Sequence, residues 1–399
     1  MSSPAETLAR LLRGVEEIHS RAELEKKLSL GRPLRVKFGV DPTSPDIHLG
    51  HTVPLLTLRA FQDEGHIAVL IIGDFTAGIG DPTGRDTTRP ELSPADIAAN
   101  AKTYQDQAFK ILDPQKTEVV FNGDWFGKMS AVDLIQLQRR GNATQMLQRR
   151  DFQERREAGK PIAMHELTYP LLQGWDSVVL KADIELGGSE QLFNLLVGRH
   201  LQEQMGQPPQ VVLTLPLLEG LDGTNKMSKS LGNTIAVNDP PSEMFGKAMR
   251  ISDELMARWY PTLFAERLDT ALHPMEAKKQ LAARIVTRFH GEAAAKEARE
   301  GFEQVFSKKE FPKVAMTIVN ETSLALIKLL VAIEAAPSGS QARTLIQQGG
   351  VAIDGQKIID PNHVVDCEGF YLKVGKRGFY YVTCLPDTPQ KNPPSSLFN

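Results

Sequence analysis

Residues 34–54 read Leu34-Arg35-Val36-Lys37-Phe38-Gly39-Val40-Asp41-Pro42-Thr43-Ser44-Pro45-Asp46-Ile47-His48-Leu49-Gly50-His51-Thr52-Val53-Pro54, and the fold turns on how this stretch divides. Residues 34–40 are mostly apolar and β-branched, the composition of a buried strand. The turn Asp41-Pro42-Thr43-Ser44-Pro45 ends it, because proline fixes φ and offers no N–H to a ladder. Asp46 is the expected N-cap of the following helix, which would turn Leu55, Leu58 and Phe61 inward. His48 and His51 then fall on one face of its first turn, and Gly50 between them leaves room for a flat ligand against the backbone. A strand running into a helix N-terminus presents free N–H groups and the positive end of the helix dipole, a setting suited to phosphate. Taken alone, the two histidines also read as a simple helix cap; as metal ligands they lack a third donor nearby.

Outward from this stretch, apolar runs at 67–72, 117–121, 178–183 and 210–215 alternate with helical patterns at 94–112, between 129 and 157, and at 189–204. Such alternation predicts an α/β domain over 1–235 with a parallel sheet covered on both faces. Ligands of such sheets sit outside the carboxyl ends of the strands, where the 41–51 turn and the glycine-rich 73–85 loop would meet. Residues 5–28 have helical spacing and are expected to lie on this domain as a helix. The stretch 122–160 has no obvious strand and reads as an insertion. Past 235 the strands stop, and helices at 274–290 and 292–306 predict an α-helical domain over 236–315. The remainder, with helices at 322–334 and 340–348, an Asp354-Gly355 hairpin turn and short strands at 351–353, 371–374 and 379–382, predicts a small α+β domain over 322–385. Residues 386–399 read as a disordered tail.

The chain has 399 residues, is 41% hydrophobic and carries a formal charge of −3. That balance argues against a nucleic-acid coat while allowing a local basic surface. Cys367 and Cys384 alone supply neither a disulfide framework nor a cysteine-based zinc site. The N-terminus lacks an apolar signal core, and the most apolar helical run, 323–336, is too short for a bilayer. The expectation is a cytoplasmic protein.

A second signal is Lys226-Met227-Ser228-Lys229-Ser230, after the 210–215 strand and the loop Leu221-Asp222-Gly223-Thr224-Asn225. Two lysines among small polar residues make a donor-rich segment able to close on an oligophosphate. An isolated pair of lysines would read as a solvated loop, but here both motifs fall at carboxyl ends of predicted parallel strands. His48-Leu49-Gly50-His51 and Lys226-Met227-Ser228-Lys229-Ser230 look like the two signatures of class I aminoacyl-tRNA synthetases. With Asp41-Pro42-Thr43, Ile79-Gly80-Asp81-Pro82, Tyr169-Pro170-Leu171-Leu172-Gln173-Gly174-Trp175-Asp176 and Gly187-Gly188-Ser189-Glu190-Gln191, the chain resembles the bacterial tyrosyl-tRNA synthetases along nearly its whole length.

Tyr169, Gln173 and Asp176 recur at helical spacing, a polar stripe that by itself faces either solvent or a pocket. The resemblance implies a Rossmann-like catalytic domain in which this stripe lines an amino-acid pocket with Gly39, Asp41, Asp81 and Gln191. There Asp176 would accept the phenolic hydrogen bond, Tyr169, Gln173 and Asp81 would hold the α-ammonium, and Gln191 would lie near the carboxylate. A buried acceptor left unpaired by phenylalanine rejects it, an effect for which tyrosyl-tRNA synthetases are the reference case. The resemblance also implies that ATP, entering as its Mg²⁺ complex without any tightly bound cofactor, meets Thr43, Gly50, Arg85, Arg89, Glu190, Leu218, Met227, Ser228 and Ser230. His48, His51, Lys226 and Lys229 would be catalytic. The implied partners are tRNA(Tyr), L-tyrosine, ATP and a second copy of the chain, the dimer forming through 122–160 with Met146 and Leu147 as contacts.

Three positions depart from the family pattern. Lys37 stands where many members have a tyrosine that also meets the phenol, Glu190 replaces an aspartate, and Trp175 replaces a tyrosine. The segment around 342–355 is similar to a small RNA-binding domain shared with a ribosomal protein, which implies RNA contacts from Arg343, Lys373, Lys376 and Arg377. Its charge is close to neutral, so a packing module is the alternative there. Tryptophanyl-tRNA synthetases share the catalytic fold, and a catalytically silent paralogue acting through the RNA-binding segment is the remaining alternative.

Overall fold

The computed structural model describes residues 4–83, 93–304, 316–318, 323–366, 369–375 and 378–383. It divides into two compact units, Met1–Phe289 and His290–Asn399. The first is built on a six-stranded sheet of β1 (Glu17–His19), β2 (Arg35–Val40), β3 (Ile67–Ile72), β4 (Thr117–Phe121), β5 (Ile184–Gly188) and β6 (Val211–Leu215), in the order β1-β6-β5-β2-β3-β4. From β2 to β6 neighbouring strands run parallel; β1 lies antiparallel along β6. The chain proceeds from β2 to β3 and β4 on one side and returns with β5 and β6 on the other. Strand order therefore reverses between β2 and β5, and a crevice opens at their carboxyl ends.

Two expectations about elements fail for physical reasons. Residues 5–28 are not one helix but Pro4–Leu11, then β1, then Arg21–Leu28. Gly14 (φ 78) and Ser20 (φ 73) take left-handed conformations that stop a helix, and Glu17, Ile18 and His19 pair with Thr214, Leu213 and Val212 at the sheet edge. The apolar run 178–183 is not a strand. It finishes the helix Met164–Leu180, in which Leu171, Leu172 and Val178 face one cluster, and Lys181 (φ 50) ends it. A short apolar run satisfies either period, and here the helical face has the partners.

The helix Met164–Leu180 crosses Leu192–Gln204 closely; a Cβ on Gly174 would stand 3.0 Å from the Gly198 backbone nitrogen. Residues 122–160 fold as four short helices, Gly123–Phe126, Ala131–Gln138, Ala143–Leu147 and Arg150–Glu157, whose Phe126, Leu137 and Met146 pack on Leu171 and Leu172. Met146, expected as an intersubunit contact, is thus a core residue with 4% of its surface exposed, and Leu147 is half-buried. The exposed large apolar side chains of this insertion are Val132 and Ile135, and Met164 is exposed at the start of the helix that follows.

Beyond β6, the helices Pro241–Ala248 and Asp253–Phe264 precede Pro274–Phe302, which is broken at Gly291 (φ 85, ψ 169). In the second unit β7 (Met316–Ile318), β9 (Val351–Ile353), β10 (Gln356–Ile358), β12 (Phe370–Val374) and β13 (Gly378–Thr383) form a sheet, while β8 (Ser323–Ala325) pairs with β11 (Val364–Asp366). Because 323–325 join β11, the helix expected at 322–334 is shortened to Leu326–Ala332. Asp354 (φ 45) and Gly355 (φ 84) make the β9–β10 turn with both central residues left-handed, the geometry a right-twisted hairpin favours. The expected 386–399 tail lies outside the described residues.

A buried ion pair closes the insertion: Arg155 meets Glu166 at 2.7 Å, both almost without exposure. Replacing Glu166 by Ala takes the carboxylate away from a buried guanidinium, and the expected loss is about 3–5 kcal/mol in denaturant unfolding. A loss below 1 kcal/mol would show that Arg155 rehydrates.

Candidate active site

The crevice at the β2–β5 reversal holds a cavity of about 560 Å³. Gly39, Asp41 and Thr43 reach it from the end of β2, and Glu190 and Gln191 from the turn after β5. The helix Met164–Leu180 contributes Tyr169, Gln173 and Asp176, and the loop after Asp74–Ile79 contributes Asp81. His48, Gly50 and His51 form one wall, with Leu218, Lys226, Met227, Ser228 and Lys229 opposite. Ser230 falls in the short 3-10 turn Lys229–Leu231 beyond that wall. Arg85 and Arg89 lie outside the described residues.

The N-cap of Leu49–Asp63 is His48, not Asp46. His48 Nδ1 accepts the Gly50 N–H at 3.2 Å, and His51 Nδ1 accepts the His48 N–H at 3.3 Å, a reciprocal capping box made of two imidazoles. With both Nδ1 atoms accepting, a neutral ring must carry its proton on Nε2, so each becomes a donor there. Burial, then His51, Lys229 and Lys226, pushes His48 down to about 2; burial and the two lysines push His51 down to about 4. Both rings are therefore neutral at physiological pH. A Cβ on Gly50 would approach His48 to 3.0 Å, so this glycine lets the capping ring fold back.

The lysine loop is tied to this helix by backbone. Leu49 N–H donates to Ile235 O and Val237 N–H to Ile47 O, so 235–237 bridge antiparallel to the start of the helix. Within the loop Asp222 accepts from Thr224 N, Asn225 N and Asn233 Nδ2, which holds its carboxyl below the usual range. Met227 N–H donates to Leu218 O. Lys229 Nζ is paired with Asp46 at 3.0 Å, which is the actual role of the aspartate expected as a cap. Glu190 is half-buried, with its buried Oε2 unpartnered and its carboxyl raised chiefly by burial.

At the other end, Tyr169 OH donates to Asp41 Oδ2 at 2.8 Å, and Thr76 Oγ1 donates to Asp41 Oδ1 at 2.8 Å. A Cβ on Gly73 would lie 2.1 Å from that Asp41 oxygen, so only glycine admits the carboxylate. Gln191 Nε2 donates to Asp81 Oδ2, and Asn194 Nδ2 donates to both Gln173 Oε1 and Gln191 Oε1. Asp176 is buried at the cavity's end, receiving Trp125 Nε1 at 3.0 Å and Asn122 Nδ2 at 3.4 Å. Burial pushes its carboxyl up to about 7, against the opposing pull of Lys37 and the two donors.

Thr76, Asn122, Trp125 and Asn194 were not anticipated from sequence. They sit on three different segments, and only Trp125, beside Phe126 after β4, offered a signal. Trp175, by contrast, packs partly buried against the insertion cluster. In the second unit Arg343 is exposed on Gly339–Gln347, and Lys373 on β12 lies 6.0 Å from the Phe379 ring centre. Lys376 and Arg377 lie outside the described residues.

Residues 29–307 match the family model of class I tRNA synthetases (W and Y). Residues 301–378 match that of the tyrosine–tRNA ligase SYY-like C-terminal domain. The tyrosine–tRNA ligase of Aquifex aeolicus is 50% identical over 388 residues, covering 95% of this chain and 99% of that one. That of Thermotoga maritima is 49% identical over 393 residues, covering 96% and 98%. The chain belongs to the tyrosine–tRNA ligases of class I. In fold it is similar to the Archaeoglobus fulgidus tyrosyl-tRNA synthetase crystallised with L-tyrosine (TM-score 0.61, 23% identity), which covers 75% of this chain and 100% of that one. As in the expectation for this ligase family, a parallel-sheet domain precedes helices and a small domain with antiparallel strands. No helix among the described residues is long and apolar enough to cross a membrane.

The depressed histidines carry a stability signature. Below pH 6.5 the unfolded chain takes up protons that the folded rings refuse, so their contribution is complete above 6.5 and falls as pH drops toward 4. The stability lead of the parent over His51→Asn should shrink by about 2 kcal/mol between pH 7 and pH 5 in urea unfolding. A lead independent of pH would mean that His51 titrates normally.

Proposed function

We propose that this tyrosine–tRNA ligase charges tRNA(Tyr) in two steps through the residues lining the crevice. The observation that carries this reading is one cavity lined by a buried carboxylate, Asp176, and by neutral imidazole donors and two lysines. Such a cavity suits a phenol-bearing amino acid laid end to end with a nucleoside triphosphate. The phenol O–H donates to Asp176, while Asp81, Tyr169 and Gln173 receive the α-ammonium beside Asp41. Gln191 lies toward the substrate carboxylate.

ATP enters as its Mg²⁺ complex, the metal being part of the substrate. Gly50, Leu218 and Met227 take the adenine, and the unpartnered Glu190 oxygen takes a ribose hydroxyl. Thr43, Arg85, Arg89, Ser228 and Ser230 complete the triphosphate surroundings. A tyrosine carboxylate oxygen attacks the α-phosphorus, the bond to the bridging oxygen breaks, and pyrophosphate leaves. The terminal ribose hydroxyl of tRNA then attacks the adenylate carbonyl and AMP leaves. No side chain forms a covalent bond; the rate comes from alignment and from donors aimed at developing charge. His48 and His51 offer Nε2–H to phosphate oxygens without adding charge. Lys226 and Lys229 supply the charge, and Lys229 must leave Asp46 to do so. Their contribution speeds the step only where they bind the transition state better than ATP.

For the remaining parts, the second unit receives tRNA, with Arg343, Lys373, Lys376 and Arg377 as its cationic contacts, supported by the match of 301–378. Two copies join through the insertion, supported by Val132 and Ile135, exposed three positions apart on the helix Ala131–Gln138, in place of Met146. The protein works in the cytoplasm, where tRNA is charged.

Tyrosine-dependent ATP–pyrophosphate exchange tests the reading, with tryptophan as the competing substrate. Lys229→Ala should slow adenylate formation at least 100-fold while changing tyrosine Kd by less than threefold; equal losses in both would contradict its role. Asp176→Asn should lower tyrosine-over-phenylalanine discrimination by tenfold or more, because the amide no longer rejects an unpaired ring so strongly. Unchanged discrimination would place the phenol elsewhere.

A further inference from the structure

Lys37 is the most buried cation of the site, with 1% of its side chain exposed, and it lines the cavity from the middle of β2. Its ammonium has three N–H donors. One goes to Glu185 Oε1 at 2.7 Å, one to Ser177 Oγ at 2.7 Å and one to the Gln173 carbonyl at 2.9 Å. None is left for a substrate phenol. Glu185 is the registered partner of Lys37 on the adjacent strand β5, and its second oxygen accepts from Ser177 Oγ and Gln210 Nε2. The pair thus spans the two strands between which the chain order reverses. Both contacts on the helix side, at 173 and 177, flank the turn that carries Gln173 and Asp176.

We propose, resting on the tyrosine reading of the pocket, that Lys37 is a positioning and specificity residue for the amino acid. It pins the turn bearing Gln173 and Asp176 against the sheet and supplies the buried positive charge that keeps Asp176 an acceptor. The charged groups facing Asp176 are Lys37 from β2 and Glu185 from β5. Asn122 and Trp125 face it as neutral donors, and Asp41 is reached through Thr76 and Asn122. Of these, only Lys37 favours the carboxylate by its charge, and Glu185 opposes it. A lysine in place of a hydroxyl-bearing side chain therefore acts on the carboxylate that binds the phenol, not on the phenol.

The test is exchange kinetics with tyrosine and phenylalanine from pH 6 to 9 on the full chain. The variants are Lys37→Met, Glu185→Gln and the charge-free Lys37→Met/Glu185→Gln. Lys37→Met should move the acid limb of kcat/KM for tyrosine upward by about one pH unit, since a bare Asp176 holds its proton longer. Glu185→Gln should move the limb downward. In the double variant the two shifts offset, yet KM for tyrosine should remain at least tenfold raised with KM for ATP within twofold, because the helix turn is no longer pinned. A neutral pair of similar volume is tolerated in buried sites far better than one stranded charge, so the double variant decides if Lys37→Met does not fold. Shifts in the same direction, or a folded double variant whose tyrosine KM matches the parent, would reduce Lys37 to packing. A parent with no tyrosine-dependent exchange would instead sink the pocket reading itself.

Discussion

Two backbone hydrogen bonds hold the site together: Leu49 N–H to Ile235 O and Val237 N–H to Ile47 O. They join the histidine-bearing helix start to the segment that follows the lysine loop, across almost 190 positions of chain. Closing a loop of that length is costly in entropy, but most of the closure is already made by the sheet that lies between. What remains is local, and a short antiparallel bridge suffices to put two lysines opposite two imidazoles. Since the bridge uses backbone only, the side chains of His48, His51, Lys226 and Lys229 still line the cavity.

The two ends of the cavity are built on different physics. At the phosphate end, capping geometry and burial keep His48 and His51 neutral with a proton on Nε2, so among the described residues there the positive charge is carried by lysines on a loop. Charge that must move is carried by long side chains, and the fixed donors are uncharged. At the amino-acid end Asp41, Thr76, Tyr169, Asn122, Asp176 and Trp125 form one continuous chain of hydrogen bonds. A buried carboxylate needs such satisfaction, since an isolated one would neutralise itself.

The Lys37–Glu185 pair lies beneath that chain and links it to the sheet. Buried pairs are poor stabilisers relative to apolar residues of the same volume, so one at the centre of the six-stranded sheet calls for another reason. Its place between the two central strands, with contacts on the helix turn that faces the substrate, supplies that reason in the geometry of recognition.

The sequence by itself determined the strand–helix alternation behind a parallel sheet and both signature motifs, and the family resemblance supplied about half of the residues that line the cavity. The reason is that periodicity, proline turns and glycine loops are local signals, and the 41–51 and 226–230 stretches each follow a strand that local composition reveals. It misjudged 178–183 and 5–28, because a short apolar run or a charged amphipathic run is compatible with more than one element until its neighbours are known. Tertiary structure alone decided that His48 and not Asp46 caps the helix, that Asp46 holds Lys229, that Met146 points inward, and that Lys37 meets Glu185. Each of these depends on which residue stands opposite across a strand, helix or loop, and that partner is set by packing among segments far apart in the chain.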